Sequence, residues 1–257
     1  MADYSADVEL AADIAREAGE LLLQIHREGV AAGLDEAALK TKGDHDSNVL
    51  ILDRLHAARP DDAILSEESK DSPVRLSAER TWIVDPVDGT REYSEGRHDW
   101  AVHVALVVGG VPVAAAVALP GQDRVLTSAT NGAALAPAHD GPIRLVVSRT
   151  RPPKLAEHLA AVLGAELVPM GSAGAKAMSV LLGESDVYAH GGGQYEWDSC
   201  APVGVAVAAG AHCSRLDGAP LVYNNADPYL PDLLVCRPEL AERVLAEIAA
   251  APPELFA

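Results

Sequence analysis

From Val104 to Gln122 the chain runs without a single charged side chain, and a stretch so apolar has to be hidden on every side. A bilayer could hide it, but Gly109-Gly110 and Pro112 break its centre and no Lys or Arg cluster flanks it. It divides instead into two β-rich runs, so it is read as a buried hairpin within an antiparallel meander over 100–128, with turns at Gly109-Gly110 and Pro120-Gly121. With 49% hydrophobic residues over 257 positions, the chain has material for such a core.

The segments around it have different periods. Val8, Ala11, Ala12, Ala15, Ala18, Leu22 and Ile25 recur at helical intervals and predict an amphipathic helix over 8–28. A second helix is expected from near Ser47 to just before Pro60. Ala63-Ile64-Leu65 and Thr81-Trp82-Ile83-Val84 read as short buried strands that run directly into acids. From about 143 strands and helices alternate: strands at 143–148, 165–169, 186–189 and 233–236, helices at 152–163, 173–183, 199–210 and 238–249. The fold class is therefore α/β, with an α+β N-terminal part over 1–140 and an α/β part over 141–257, divided in the Pro- and Gly-rich segment 137–142.

Acids outnumber bases 38 to 20, a net charge of −18. That argues against nucleic acid, whose affinity comes mainly from Lys and Arg releasing counterions. A small anion would need metal ions or backbone amides. Three cysteines at unrelated spacings suggest neither a disulfide framework nor a CxxC site and fit a reducing cytoplasm. The acidic start of the chain is unlike a signal peptide, and no membrane association is expected. The nine histidines lack HxH or HExxH spacing and read as structural or surface.

The chemistry is concentrated in Asp85-Pro86-Val87-Asp88-Gly89-Thr90, which follows a buried strand. Pro86 holds Asp85 extended, so two carboxylates and a carbonyl stand on a stiff turn that could clamp a hard cation. Gly89 allows close approach of a ligand, and Thr90 offers a hydroxyl at a possible helix start. The same six residues could also be an ordinary surface turn. Two further blocks favour a site: Ser66-Glu67-Glu68-Ser69 after another strand, and Glu196-Trp197-Asp198 ahead of a helix opened by Ser199-Cys200-Ala201-Pro202. Glu67, Asp85, Asp88 and Asp198 would give four all-oxygen ligands, a set suited to Mg²⁺ rather than zinc.

In order and spacing these blocks resemble the three signatures of the inositol-monophosphatase-like phosphatases, a family that includes fructose-bisphosphatases and 3′(2′),5′-bisphosphate nucleotidases. Within it the chain is most similar to the CysQ-type nucleotidases, through Thr90-Arg91-Glu92-Tyr93, Val147-Ser148-Arg149 and Gly171-Ser172-Ala173-Gly174-Ala175-Lys176. The resemblance implies a layered αβαβα sandwich and two or three Mg²⁺ ions held by Glu67, Asp85, the Val87 carbonyl, Asp88 and Asp198. It also implies a small phosphorylated substrate, a nucleoside bisphosphate first of all, lithium sensitivity, a link to sulfate assimilation and a homodimer. Substrate would be met by Glu67, Asp88, Gly89, Thr90, Ser148, Arg149, Gly171, Ser172, Lys176 and Asp198, with the planar Arg149 guanidinium on a second phosphate.

The family's water-activating pair would be Thr90 and an Asp before the second helix. Its usual Val-Thr-x-x-Asp pattern is Val49-Leu50-Ile51-Leu52-Asp53 here, with Leu50 replacing the threonine. Counting back from Asp53 puts the acid at or beside Ser47, making Asp46 the candidate and Asp44 the next. Inositol monophosphatase or fructose-1,6-bisphosphatase activity is the alternative within this chemistry, and a catalytically weak metal-binding regulatory module the alternative outside it. A haloacid-dehalogenase phosphatase would need Asp-x-Asp, one residue shorter, near the chain start.

Overall fold

The computed structural model describes residues 3–130 and 132–256. Helix α1 (Ser5–Ala31) and helix α2 (Glu36–Ala58) lead into a first sheet of five strands in sequence order, β1 (Ala63–Ser66), β2 (Arg80–Asp88), β3 (Ala101–Val108), β4 (Val111–Leu119) and β5 (Arg124–Thr127). Only β1 and β2 are parallel; the rest is the expected antiparallel meander. Gly109 and Gly110 both take positive φ, 59° and 82°, the backbone a two-residue hairpin turn demands.

The lack of charge over 104–122 follows from the layering. Val102, Val104 and Leu106 of β3 and Ala114, Ala116 and Ala118 of β4 share a core with Ala11, Ala15, Ala18 and Leu22 of α1. The intervening Ala101, Ala105, Val107, Ala115 and Val117 pack the other way, into a second core with Ala175, Met178, Ala201 and Val205. Successive side chains on a strand point to opposite faces, and here both faces are covered. Among the described residues, no helix is long and apolar enough to cross a membrane.

After the short helix α3 (Thr90–Ser94), which lies between β2 and β3, the second sheet follows from β6 (Arg144–Ser148), β7 (Glu166–Met170), β8 (Val187–Tyr195), β9 (His212–Ser214) and β10 (Tyr229–Cys236). Its order is β7-β6-β8-β10-β9, parallel through β6 and antiparallel at β10. Helices α5 (Ala173–Leu181) and α6 (Glu196–Ala208) lie between the two sheets, and α4 (Lys154–Leu163) and α7 (Ala241–Ala250) cover the far face. The result is the expected αβαβα sandwich.

Three expectations are corrected. Helix α2 starts at Glu36 rather than near Ser47, because the Asp35 side chain accepts from Ala38 N and caps the helix there. The strand expected over 186–189 runs on to Tyr195 as β8, with Gly191-Gly192-Gly193 in its middle, paired with β10. Asp198 does not precede α6 but lies in its first turn, where Oδ2 accepts from Tyr195 N at 2.6 Å. The strand β9 was too short to be seen in the pattern.

Candidate active site

Asp85 and Asp88 stand three residues apart, and on a regular strand such side chains point to opposite faces. The register against β3 brings them together. Asp85 pairs with His103 and Asp88 with Ala101, so three steps along β2 match two along β3. The extra residue is a β-bulge, which also accommodates Pro86 and its missing N–H. Both carboxylates therefore face the middle helical layer. Glu67 arrives from the end of β1, its N–H bonded to the Val84 carbonyl at 3.3 Å.

Carboxylate oxygens of Asp85, Asp88 and Asp198 lie within 4.8 Å of one another. Burial, and then the charges of Glu67, Asp88 and Asp198, push the Asp85 carboxyl well above the ordinary range. Burial raises Glu67 to about 7, and burial with the charge of Asp88 does the same to Asp198. Acids crowded out of water in this way fit a divalent cation, which would neutralise them through oxygen ligands alone. Val87 belongs to the same wall.

Asp88 has a second task. Ser172 Oγ and Gly174 N donate to its Oδ2 at 2.7 and 2.6 Å, and Ala173 N to its Oδ1 at 3.1 Å. Asp88 thereby anchors the start of α5 and keeps a lone pair on Oδ1 for a cation. His103, enclosed in β3, bonds the Trp197 carbonyl through Nδ1 at 2.9 Å and sets Nε2 at 3.3 Å from Asp88. Histidine spacing gave no sign of this; the available signal was a lone polar residue in an otherwise apolar strand.

These groups open onto a cleft of about 290 Å³. Glu67, Asp85, Val87, Asp88 and Asp198 form its acidic end, and Gly89, Thr90, Ser148, Gly171, Ser172 and Lys176 also line it. Gly89 adopts φ 91° immediately before α3, which Thr90 begins. Gly171 must be glycine, since a Cβ there would lie 2.3 Å from Glu92 Cγ. Lys176 is not the solvated lysine a sequence allows: it is buried, and Nζ donates to the Gly171 and Ser172 carbonyls at 2.8 and 2.5 Å.

Two expected residues are not brought to the cleft wall. Arg149 Nη2 is held by Glu92 at 2.9 Å and Glu95 at 2.8 Å, so its guanidinium is spent on α3 and its C-terminal end, while Arg91 and Arg151 line the cleft. Asp46 pairs with Lys42 at 2.6 Å on the outer side of α2. Asp44 is not among the residues lining the cleft either, but among the described residues its Oδ1 is buried without a hydrogen-bond partner, and burial, then the charge of Glu68, raises its carboxyl to about 7. Ser47 Oγ fastens the same helix to the Pro86 carbonyl at 3.0 Å.

The raised carboxyls fix a pH dependence. Glu67 and Asp198 begin from 4.5 and 3.8 and reach about 7 in the fold, so between those limits the folded chain holds protons that the unfolded chain has released. Metal-free stability is thus expected to fall as pH rises from about 4 to about 7 and then to level off. Thermal melts in chelator across this range check it; a contribution that rises with pH there would contradict the enclosure of these acids.

A model of the inositol monophosphatase family matches residues 3–252. The chain is 51% identical over 262 residues to the 3′-phosphoadenosine 5′-phosphate phosphatase of Mycobacterium leprae (strain TN), with 96% of each chain covered. It is 31% identical over 236 residues to the 3′(2′),5′-bisphosphate nucleotidase CysQ of Escherichia coli (strain K12), covering 84% of this chain and 94% of that one. CysQ from Bacteroides thetaiotaomicron superposes with a TM-score of 0.81 at 26% identity, over 91% of this chain and 98% of the other. Inositol monophosphatase II of Staphylococcus aureus MSSA476 shares the fold, with a TM-score of 0.82 at 20% identity over 98% and 96%. The three acidic blocks that converge on the cleft all fall within the matched residues, and the chain belongs to the inositol monophosphatase family.

Proposed function

We propose that the chain is a Mg²⁺-dependent phosphomonoesterase that removes the 3′-phosphate of 3′-phosphoadenosine 5′-phosphate, leaving AMP and phosphate. 3′-Phosphoadenylyl sulfate, giving adenylyl sulfate, would be a second substrate. The observation that carries this reading is the buried convergence of Asp85, Asp88 and Asp198 in one cleft; the activity named for the relative at 51% identity narrows the substrate. Two or three Mg²⁺ ions held by Glu67, Asp85, the Val87 carbonyl, Asp88 and Asp198 would supply charge neutralisation at the phosphoryl oxygens and a more acidic water.

The chain's own residues do the rest. Asp44, in place of Asp46, is paired with Thr90 to orient the attacking water and take its proton. A carboxyl at about 7 is half ionised near neutrality and suited to that role. Lys176 uses two of its three donors on carbonyls, and the third is free for a phosphate oxygen. Ser148, Gly171 and Ser172 line the space beside it. Water adds its hydroxyl to phosphorus, and the 3′ oxygen leaves as the free hydroxyl. Cytoplasmic location, a role in sulfate assimilation and a homodimer belong to the same proposal.

The test is phosphate release with Mg²⁺ from 3′-phosphoadenosine 5′-phosphate, inositol 1-phosphate and fructose 1,6-bisphosphate. Release is expected to be fastest from the first and to be inhibited by Li⁺. No release from any of the three would overturn the enzyme reading, and the reverse ranking would overturn the substrate.

A further inference from the structure

The carboxylates of the cleft come from separate parts of the fold: Glu67 from just after β1, Asp85 and Asp88 from β2, and Asp198 from the first turn of α6. Like charges repel, so each part has to be held in place before a cation arrives. The bulge does this for the β2 pair. For Glu67 and Asp198 the chain has another device, built behind the cleft from residues that are not among those lining it.

Its ends are two charged side chains enclosed in the fold, Arg75 at 1% and Glu196 at 0% exposure. Arg75 belongs to the short 3-10 helix Pro73–Ser77 that follows the Glu67 turn. It grips Asp71, four residues beyond Glu67, through Nε at 2.7 Å and Nη2 at 3.0 Å. Glu196 opens α6 two residues ahead of Asp198. Asn224 joins the two. Its Oδ1 accepts from Arg75 Nη1 at 2.8 Å, its Nδ2 donates to the Arg75 carbonyl at 3.1 Å, and its backbone N donates to Glu196 Oε2 at 2.6 Å. Asn225 adds its N and Nδ2 to Glu196 Oε1 at 2.8 and 2.7 Å. Asn224 has φ 62°, a left-handed backbone that glycine adopts freely and other residues only at a cost. A side chain kept there is one the fold uses. Buried charges bring little net stability even when paired, so stability alone does not account for Arg75 and Glu196.

We propose that Arg75, Asn224 and Glu196 form a positioning relay, which ties the Glu67 turn to the start of α6 and so holds Glu67 and Asp198 in register for a divalent cation. All three act through other residues. His103 holds the same turn of α6 from β3, through the Trp197 carbonyl, so Asp198 follows directly on two anchored residues. The inference rests on the metal-dependent reading of the cleft, but it concerns cation binding and not the substrate.

The test is calorimetric titration of Mg²⁺ into wild-type protein and into Asn224→Gly, without substrate and well below the melting temperature of each, which is measured in chelator. Glycine suits φ 62° and leaves the backbone N for Glu196, yet it removes both contacts with Arg75. The variant is expected to bind Mg²⁺ about 10-fold more weakly, the lower end of the range for losing an outer partner of a metal ligand. Wild-type affinity in the folded variant would make Asn224 a purely structural residue and overturn the relay, whatever happens to the melting temperature. Should the glycine variant not fold, Glu196→Gln takes its place. It keeps one acceptor oxygen for Asn225 and turns an amide NH₂ toward Asn224 N, and the same two outcomes decide. Weaker Mg²⁺ binding by the variant, with no phosphate release by the wild type from any of the three phosphate esters, would leave the relay standing and sink the phosphatase reading. A wild type that binds no Mg²⁺ would sink both.

Discussion

Replacing Asp85 by asparagine is expected to abolish Mg²⁺-dependent phosphate release and, in the same protein, to raise the melting temperature measured without divalent cations. The two effects have one cause. Asp85 is enclosed, and burial together with Glu67, Asp88 and Asp198 opposes its ionisation, so without a cation the fold must keep a proton there that the unfolded chain releases, which costs stability near neutral pH. Asparagine keeps the shape and the acceptor that Val87 N uses at 3.0 Å, and it removes that cost. Loss of an outer partner of a metal ligand already costs roughly 10- to 100-fold, so loss of a central carboxylate should exceed about 100-fold in turnover. Each kcal/mol of that cost removed should add about 2–4 °C for a chain of this size. Initial rates at saturating Mg²⁺ and melts in chelator check the pair; retained turnover, or a lower melting temperature, would contradict the assignment. Asp88→Asn is a less clean test, because Asp88 also accepts three hydrogen bonds from Ser172, Ala173 and Gly174, and a neutral amide would loosen α5 as well.

The second large effect separates Asp44 from Asp46. Asp44→Asn is expected to lower kcat by about 10²- to 10⁴-fold, the range for a lost general base, with little change in the Mg²⁺ concentration needed for half activity. Asp46→Asn removes an exposed pair with Lys42, worth no more than about 1 kcal/mol, and should leave kcat near wild type. A larger loss in Asp46→Asn would return the role to that residue. Rates for both variants over a Mg²⁺ titration decide it.

The distinction between these two acids shows where the sequence stopped being legible. With α2 placed near Ser47, both residues fell in a loop and counting could only say that one of them mattered. Once Asp35 caps the helix at Glu36, the two lie about 200° apart around its axis, so they face opposite ways. Asp44 turns inward toward Glu68 and Asp46 outward toward Lys42. A helix start eleven residues earlier than expected thus changes which carboxylate is proposed as the base. The clustered acids were easier to read, because each sits where a strand or helix end hands a carboxylate to one edge, and that pattern is local. What the notation Asp-Pro-Val-Asp could not show is the bulge that turns both acids the same way, since it exists only in the register with β3.

The setting of Arg149 was hidden for a related reason. A guanidinium after a strand is a sound guess for a phosphate contact, but its partners here, Glu92 and Glu95, lie more than fifty residues away in sequence, and no spacing rule reaches that far. His103 was missed in the same way, because it becomes a feature only when β3 meets β2. The layer order, by contrast, was close to the surface of the sequence: an uncharged hairpin needs cover on both faces, and the alternation after residue 143 supplies the helices.

The most direct measurement is to identify the products of 3′-phosphoadenosine 5′-phosphate by ³¹P NMR after incubation with the protein, with Mg²⁺ and with excess chelator. The acidic cleft predicts adenosine 5′-phosphate and inorganic phosphate in equal amounts with Mg²⁺, and unchanged substrate when the cation is withdrawn. Adenosine 3′-phosphate as the product, or phosphate release that persists in chelator, would contradict it.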